Sequence, residues 1–480
     1  MTDASFVRDA MIAPSAPPAS QRGVIRWLRE NLFSSILNSI LTLLGVLAVF
    51  LIVRASLPWL LNGVWNANSL AECRAAILAK AGEGASGACW AMIRVRWNQF
   101  LFGFYPVDLY WRPLLAFGLL FVALAPVLYY GLQRANVIMI GIVGILLVAT
   151  LLAIGTDALH LGLAALVMAA LTAIAWLAPT RLVWFTLLYP AVGFFLLWGG
   201  SVWGPVGTLA GFGIVAGALI LLQGRLGVVV SAAVGLIVAA VWWLGIQTYV
   251  TTAIHSVLPW GLEAVDSDQF GGFLLAFTIG VTAIAGSLPI GILLALGRRS
   301  DMFLIKTLSV GFIEFIRGVP LITMLFTASL LLQYFLPPQT NFDLILRVII
   351  LVTLFASAYI AEVIRGGLAA LPRGQYEAAD ALGLDYWQAQ QQIIMPQALK
   401  IAIPGIVSSF IGLFKDTTLV ALVGLADPLQ GITKIVRADI NWKGIYWEPF
   451  LFVGAIFFLV CFSMSRYSMY LENKLKRDHR

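Results

Sequence analysis

Apolar runs of about 20 residues, the length that carries a helix across a bilayer, recur along the whole chain between short polar gaps. They lie at Ile36–Leu57, Leu114–Leu132, Val137–Ile154, Leu159–Leu177, Leu182–Trp203, Val206–Leu222 and Gly227–Tyr249. A polar stretch, Thr251–Gln269, interrupts the series. Five more runs follow, at Phe270–Leu296, Pro320–Leu336, Leu344–Ile364, Ile401–Leu422 and Phe450–Tyr470. The pattern predicts an all-α polytopic membrane protein of about 12 transmembrane helices. Residues 1–35 form a polar tail, 36–263 a membrane extension of about seven helices, and 264–480 a five-helix C-terminal part. Only a Gly-Pro turn parts the runs on either side of Gly204, so a hairpin that does not fully cross stays open there.

Short loops set the orientation, because Lys and Arg concentrate on the cytoplasmic side. Arg22, Arg26 and Arg29 precede the first run, and Lys474, Lys476, Arg477 and Arg480 follow the last. Both termini are expected in the cytoplasm, which requires an even number of crossings. Gln133-Arg134, Thr180-Arg181, Arg225 and Arg298-Arg299 then fall inside, while Asp157, Gly204 and the Pro337–Asp343 turn face out. Arg54, near the outer end of the first helix, reaches the interface by snorkelling. Residues 1–22 lack the apolar core of a cleavable signal, so the first helix serves as the insertion signal.

Composition agrees with lipid as the solvent: 61% of the residues are hydrophobic, 11% are charged, and the mean hydropathy is +0.93. The net charge of +7 sits in gaps between apolar runs, without a nucleic-acid recognition motif, so nucleic acid is not an expected partner. The three cysteines, with no CxxC pair, and three scattered histidines argue against a metal site. The loop from about 61 to 112 is expected outside and holds Cys73 and Cys89. Two readings stand there: a disulfide, since that compartment is oxidising, or two free thiols. Two GxxxG pairs, Gly207–Gly211 and Gly213–Gly217, hint at close helix packing.

The densest polar chemistry is RGQYEAADALGLDYWQAQQQIIMPQALK, residues 373–400, between two apolar runs on the inner side. Tyr376, Ala379 and Leu382 recur at helical spacing, Gly383 breaks the helix, and a second amphipathic turn runs through Trp387, Ile393 and Ile394 to Pro396. A rigid helical hairpin on an inner loop suits docking of a soluble partner. Glu377-Ala378-Ala379, the following Gly383 and the later Ile393 and Pro396 resemble the EAA loop of ABC importer permeases. Met395 stands where that family usually has leucine. The resemblance implies that Glu377, Ala378, Ala379, Gly383 and Pro396 couple the chain to an ATPase dimer. ATP and Mg would then reside on that partner and no cofactor on this chain. It further implies a second related permease subunit and a periplasmic amino-acid-binding protein as partners, in a bacterial inner membrane.

Residues 312–321, FIEFIRGVPL, resemble the segment before the second core helix in permeases for polar amino acids, and Ala361–Gly367 repeats the pattern. Glu314 and Arg317, like Glu362 and Arg365, are three apart and share a helix face. They are either interfacial ion pairs or the lining of a cytoplasmic gate. Phe414-Lys415-Asp416-Thr417-Thr418 lies inside an apolar run, where ionisable groups are usually functional. Adjacent residues do not share a face, so a break is expected there. Similar permeases carry Lys-Asp-Thr/Ser in this place. Lys415, Asp416 and Thr417 could contact a zwitterionic L-amino acid, form a structural ion pair, or meet the neighbouring permease. The resemblance covers about 264–480 as a full permease core. The long extension, with the Cys73–Trp90 loop, is similar to one subunit of the general L-amino-acid importers of Gram-negative bacteria. The chain has no GxxxxGK[ST], GxSxG or HExxH, so it is not expected to be an enzyme. An ion-coupled secondary transporter and a membrane docking or sensor subunit are the rival functions.

Overall fold

The computed structural model describes residues 23–129, 131–331, 334 and 343–477. The tail 1–22, most of the Pro337–Asp343 turn and Arg480 lie outside the described residues. Among the described residues, eleven helices are long and apolar enough to cross a membrane, or twelve if one bent pair counts as a single span. The chain is an all-α polytopic membrane protein, as its hydrophobic pattern predicts.

By contacts the chain divides into two compact units, 1–95 with 441–448, and 96–440 with 449–480. The second unit therefore runs across position 263, where the pattern of spans had suggested a boundary.

The first unit holds α1 (Gly23–Asn31), α2 (Ile36–Leu61) and α3 (Leu70–Ala81), and α4 (Ala91–Phe102) begins there. No α2 side chain is buried, which suits a helix whose solvent is lipid. Beyond it the chain folds tightly. Cys73 is bonded to Cys89 across 16 positions. Trp90 stacks on Trp65 and tilts against Trp59, and the backbone N–H of Cys89 donates to Glu448 Oε1 at 2.8 Å. That carboxylate is buried, so the hydrogen bond satisfies a group that is costly to leave unpaired.

In the second unit the helices are α5 (Trp111–Leu128), α6 (Gln133–Ala153), α7 (Ala158–Leu177), α8 (Leu182–Trp198), α9 (Trp203–Val241) and α10 (Gln247–Val257). They continue with α11 (Gly272–Arg298), α12 (Phe303–Gly318), α13 (Leu321–Phe326), α14 (Leu344–Ala369), α15 (Gly374–Ala381) and α16 (Tyr386–Ala389). The last are α17 (Met395–Asp416), α18 (Pro428–Ala438) and α19 (Trp447–Arg477). Helix α14 packs on both α11 and α17, and α5 packs on α6 and α8. One apolar core joins the two sets, with Leu119, Ile140, Met168 and Leu196 from the extension and Leu275, Ile279 and Val348 from the C-terminal part.

Backbone punctuation explains several departures from the pattern. The runs expected at Val206–Leu222 and Gly227–Tyr249 are spans Trp203–Gly227 and Val230–Val257, kinked at Gly227 where φ is +75°. The break before them falls at Gly199–Val202 and not at Gly204-Pro205, which lie in the first turn of α9; Gly200–Ser201 (β1) there pairs antiparallel with Gly261–Leu262 (β2). The first GxxxG is used for packing, since a Cβ on Gly211 would lie 2.1 Å from Trp243 Nε1. At Gly213 and Gly217 the space is open. The run expected to start at Pro320 begins earlier, as α12 followed by Leu321–Leu331, bent by 102°. Proline lacks the N–H and forces Val319 into extended geometry, which ends α12. Gly103 (φ +68°) and Gly272 (φ +57°) mark a backbone crossing: a Cβ on Gly103 would stand 2.3 Å from Gly271 Cα. Only glycine fits both the left-handed conformation and that approach.

Candidate functional site

The loop 373–400 folds as the expected hairpin. Helix α15 ends in a turn where Gly383 adopts φ +69° with no atom within 4 Å of an added Cβ, so conformation alone selects glycine. Asp385 caps α16 reciprocally with Gln388. The second arm does not stop at Pro396. It passes through a π-helical turn at Gln390–Ile394 directly into α17, with Pro396 in the first turn where a missing N–H is harmless. Glu377, Ala378 and Gly383 are exposed, whereas Ala379 is 1% exposed and packs inward. Leu382, 72% exposed, joins Tyr386 and Trp387 in an uncovered apolar tip on an otherwise polar loop.

Two contacts brace this hairpin. Arg299, one residue beyond α11, donates from Nη1 to Tyr376 Oη at 2.8 Å and lies over its ring at 5.4 Å. Gln397 Nε2 donates to Gln375 Oε1 at 2.8 Å, tying α15 to α17. These contacts tie the hairpin to the end of α11 and the start of α17.

Next to it, charges from three helices converge. Glu362 of α14 accepts from Arg365 with both oxygens, at 3.0 to 3.1 Å. Arg298 Nη1, at the end of α11, lies 2.7 Å from Glu362 and 2.9 Å from Glu314 of α12. Arg317 Nη1 is 3.8 Å from Glu362. The expected Glu362–Arg365 pair forms. Glu314 and Arg317 do not pair with each other; each reaches a residue of another helix. Arg298 was legible only as a topogenic charge, yet it bridges both glutamates. The cluster carries three cations and two anions, and all three cations lie around Glu362.

At the far end of α17 the helix tightens to a 3₁₀ form over Thr417–Val423, the break expected from the adjacent charges. Lys415 is exposed and Asp416 half-buried, and among the described residues they make no ion pair with each other. Asp416 lines a cavity of 250 Å³ with Tyr359, Ser409 and Phe355. Thr417 is buried, its hydroxyl donating to Phe414 O at 2.7 Å. Phe414 in turn fills the face of Gly280, where a Cβ would come within 2.9 Å of its ring.

No three His, Cys, Asp or Glu side chains converge as a metal would need, among the described residues. Residues 287–477 match the family described as the binding-protein-dependent transport system inner membrane component. Over all 480 residues the chain is 64% identical to the glutamate/glutamine/aspartate/asparagine transport system permease protein BztC of Rhodobacter capsulatus, covering 100% of each. It is 35% identical to the inner membrane amino-acid ABC transporter permease protein YhdY of Escherichia coli, over 95% of this chain and 94% of that one. A solved amino acid ABC transporter with histidines is 29% identical over 42% of this chain and 91% of that chain, with a TM-score of 0.37. On these likenesses the chain belongs to the permease subunits of amino-acid ABC transport systems.

Proposed function

We propose that this permease imports L-amino acids across the inner membrane by alternating access, with glutamate, glutamine, aspartate and asparagine as the substrates to test first. That substrate set is the one named for its 64% identical relative. An ATPase dimer carrying ATP and Mg docks on 373–400, where Glu377, Ala378 and Gly383 meet it, while Ala379 and Pro396 hold the hairpin's shape. A periplasmic binding protein delivers substrate, a second related permease subunit completes the path, and both termini lie in the cytoplasm.

One observation carries the reading: an exposed apolar tip braced through Arg299–Tyr376 to the end of α11, one residue from Arg298 and its ion cluster. A stroke on the tip moves the end of α11, and Arg298 moves with it. Glu314, Arg317, Glu362 and Arg365 then act as the cytoplasmic gate. With three guanidiniums around Glu362, one leaves without stranding a carboxylate, and Arg317, the most distant at 3.8 Å, is the first to go. Lys415, Asp416 and Thr417 lie on the substrate path, Asp416 offering its carboxylate to the ammonium of an amino acid in the 250 Å³ cavity.

The test is uptake of labelled glutamate into proteoliposomes holding the assembled transporter, with ATP inside or outside and with an ion gradient alone. ATP-dependent uptake that is abolished by deleting 373–400 is expected. Uptake driven by the gradient alone would identify a secondary transporter. Co-purification with an ATPase but no flux would identify a docking subunit.

A further inference from the structure

Away from the hairpin, a cavity of 540 Å³ opens between the segment before α11, the start of α14 and the turn before α18. Its charged lining is Asp266, Asp268, Asp343, Arg347 and Lys434. It shares no residue with the cavity at Asp416.

Arg347 is the unusual member. It is 6% exposed, and Nη1 donates to Ser329 O at 2.7 Å. Its Nε is closed off from solvent and has no acceptor, and no carboxylate pairs with the guanidinium among the described residues. Asp343, one turn earlier, is committed elsewhere: its Oδ1 accepts from Leu346 N at 2.9 Å as the cap of α14. A buried guanidinium with one neutral partner is strongly disfavoured unless an anion completes it. The geometry a guanidinium satisfies best is a carboxylate.

The acidic residues across the cavity do not gather into a cation site, for no three converge on one point among the described residues. A ligand suited to this lining carries both signs, a carboxylate for Arg347 and an ammonium for Asp266 or Asp268.

We propose that this cavity is a second binding site for a zwitterionic α-amino acid, with the ligand carboxylate on Arg347 and Lys434 and its ammonium on Asp266 and Asp268. The choice of ligand class rests on the import reading above; the site itself rests on the buried, unpaired guanidinium. On the orientation proposed there the cavity lies at the outer mouth, where a substrate released by a delivery protein first meets the permease.

Equilibrium binding of labelled L-glutamate and L-glutamine to the full chain in nanodiscs, without ATP, tests it. Losing a charge-assisted hydrogen-bonded pair weakens binding about 10- to 100-fold, so R347M is expected to do that and R347K to restore part of it. Wild-type affinity in R347M overturns the proposal. If R347M does not fold, D268N and K434M at the rim decide: unchanged affinity in both overturns it, and weakening of several-fold in each supports it. ATP-driven uptake by the wild-type assembly is measured beside the binding. Uptake present with unaltered R347M binding rejects this site alone, and absent uptake rejects the import reading.

Discussion

Replacing Glu362 by glutamine removes the one charge on which three guanidiniums converge, at 2.7, 3.0 and 3.8 Å. Two unit charges about 4 Å apart interact by about 4 kcal/mol at an effective permittivity near 20. Desolvation offsets much of that, so measured net values run from about 0–1 kcal/mol for exposed pairs to about 3–5 kcal/mol for breaking a buried one. The Glu362 side chain is 17% exposed and has two close partners, which places E362Q at a loss of about 2–3 kcal/mol. Glu314 has one partner and is 54% exposed, so E314Q is expected to lose less than about 1 kcal/mol. Unfolding of the purified chain by SDS titration in mixed micelles measures both. A double-mutant cycle with R298M isolates the pair, and its coupling energy is expected to exceed that of the R298M–E314Q cycle. Equal losses for the two glutamates, or a coupling energy near zero for Glu362 with Arg298, would refute the assignment of Glu362 as the hub.

Charge reversal at the gate, R317E or R365E, is expected to cut uptake more than about tenfold while ATP hydrolysis by the assembly continues; intact coupling rejects the gate. G383A meets no steric obstacle but places a Cβ at φ +69°, a strain of about 1–2 kcal/mol. Uptake is expected to fall several-fold, and full activity would show that the turn does not depend on that conformation. Alkylation of the unreduced chain is expected to leave Cys73 and Cys89 unlabelled. Removing that bond, which closes a loop of 16 positions, is expected to destabilise the first unit by about 3 kcal/mol; label on either native thiol contradicts this. Burial pushes the carboxyl of Asp427, which caps α18, above its ordinary value. Its charged form is thus disfavoured in the folded chain, a penalty absent below the ordinary pKa that develops as pH rises through the folded one. D427N keeps the cap, so it is expected to raise the thermal midpoint at pH 7 and not near pH 3; equal effects at both pH values reject the account.

The helices were legible because length and hydropathy are local properties, and the hairpin because Gly383 and the polar run around it leave few alternatives. The register of ion pairs was not legible. Three-residue spacing places Glu314 beside Arg317 on one helix, but whether they pair depends on which neighbouring helix brings a stronger partner. Here α11 supplies Arg298. Pro320 announced a break in the sequence, yet the angle it imposes and the amphipathic helix before it depend on packing. Nothing in the sequence singles out Arg347; only its burial without a counter-charge marks it. Ala379 illustrates the converse: its position in the motif was readable, and its inward orientation was not.

The crossing of Gly103 over Gly271 and Gly272 bears on the order in which the protein is made. These glycines are separated by about a third of the chain, and domains built N-terminus first must wait for their later partners. Until α11 emerges from the ribosome, Tyr105 has no Phe270 to cover it, and the seven described spans that precede α11 sit in the bilayer with an unfinished aromatic surface. Biogenesis of the extension is in this sense completed by the segment that starts the transport core.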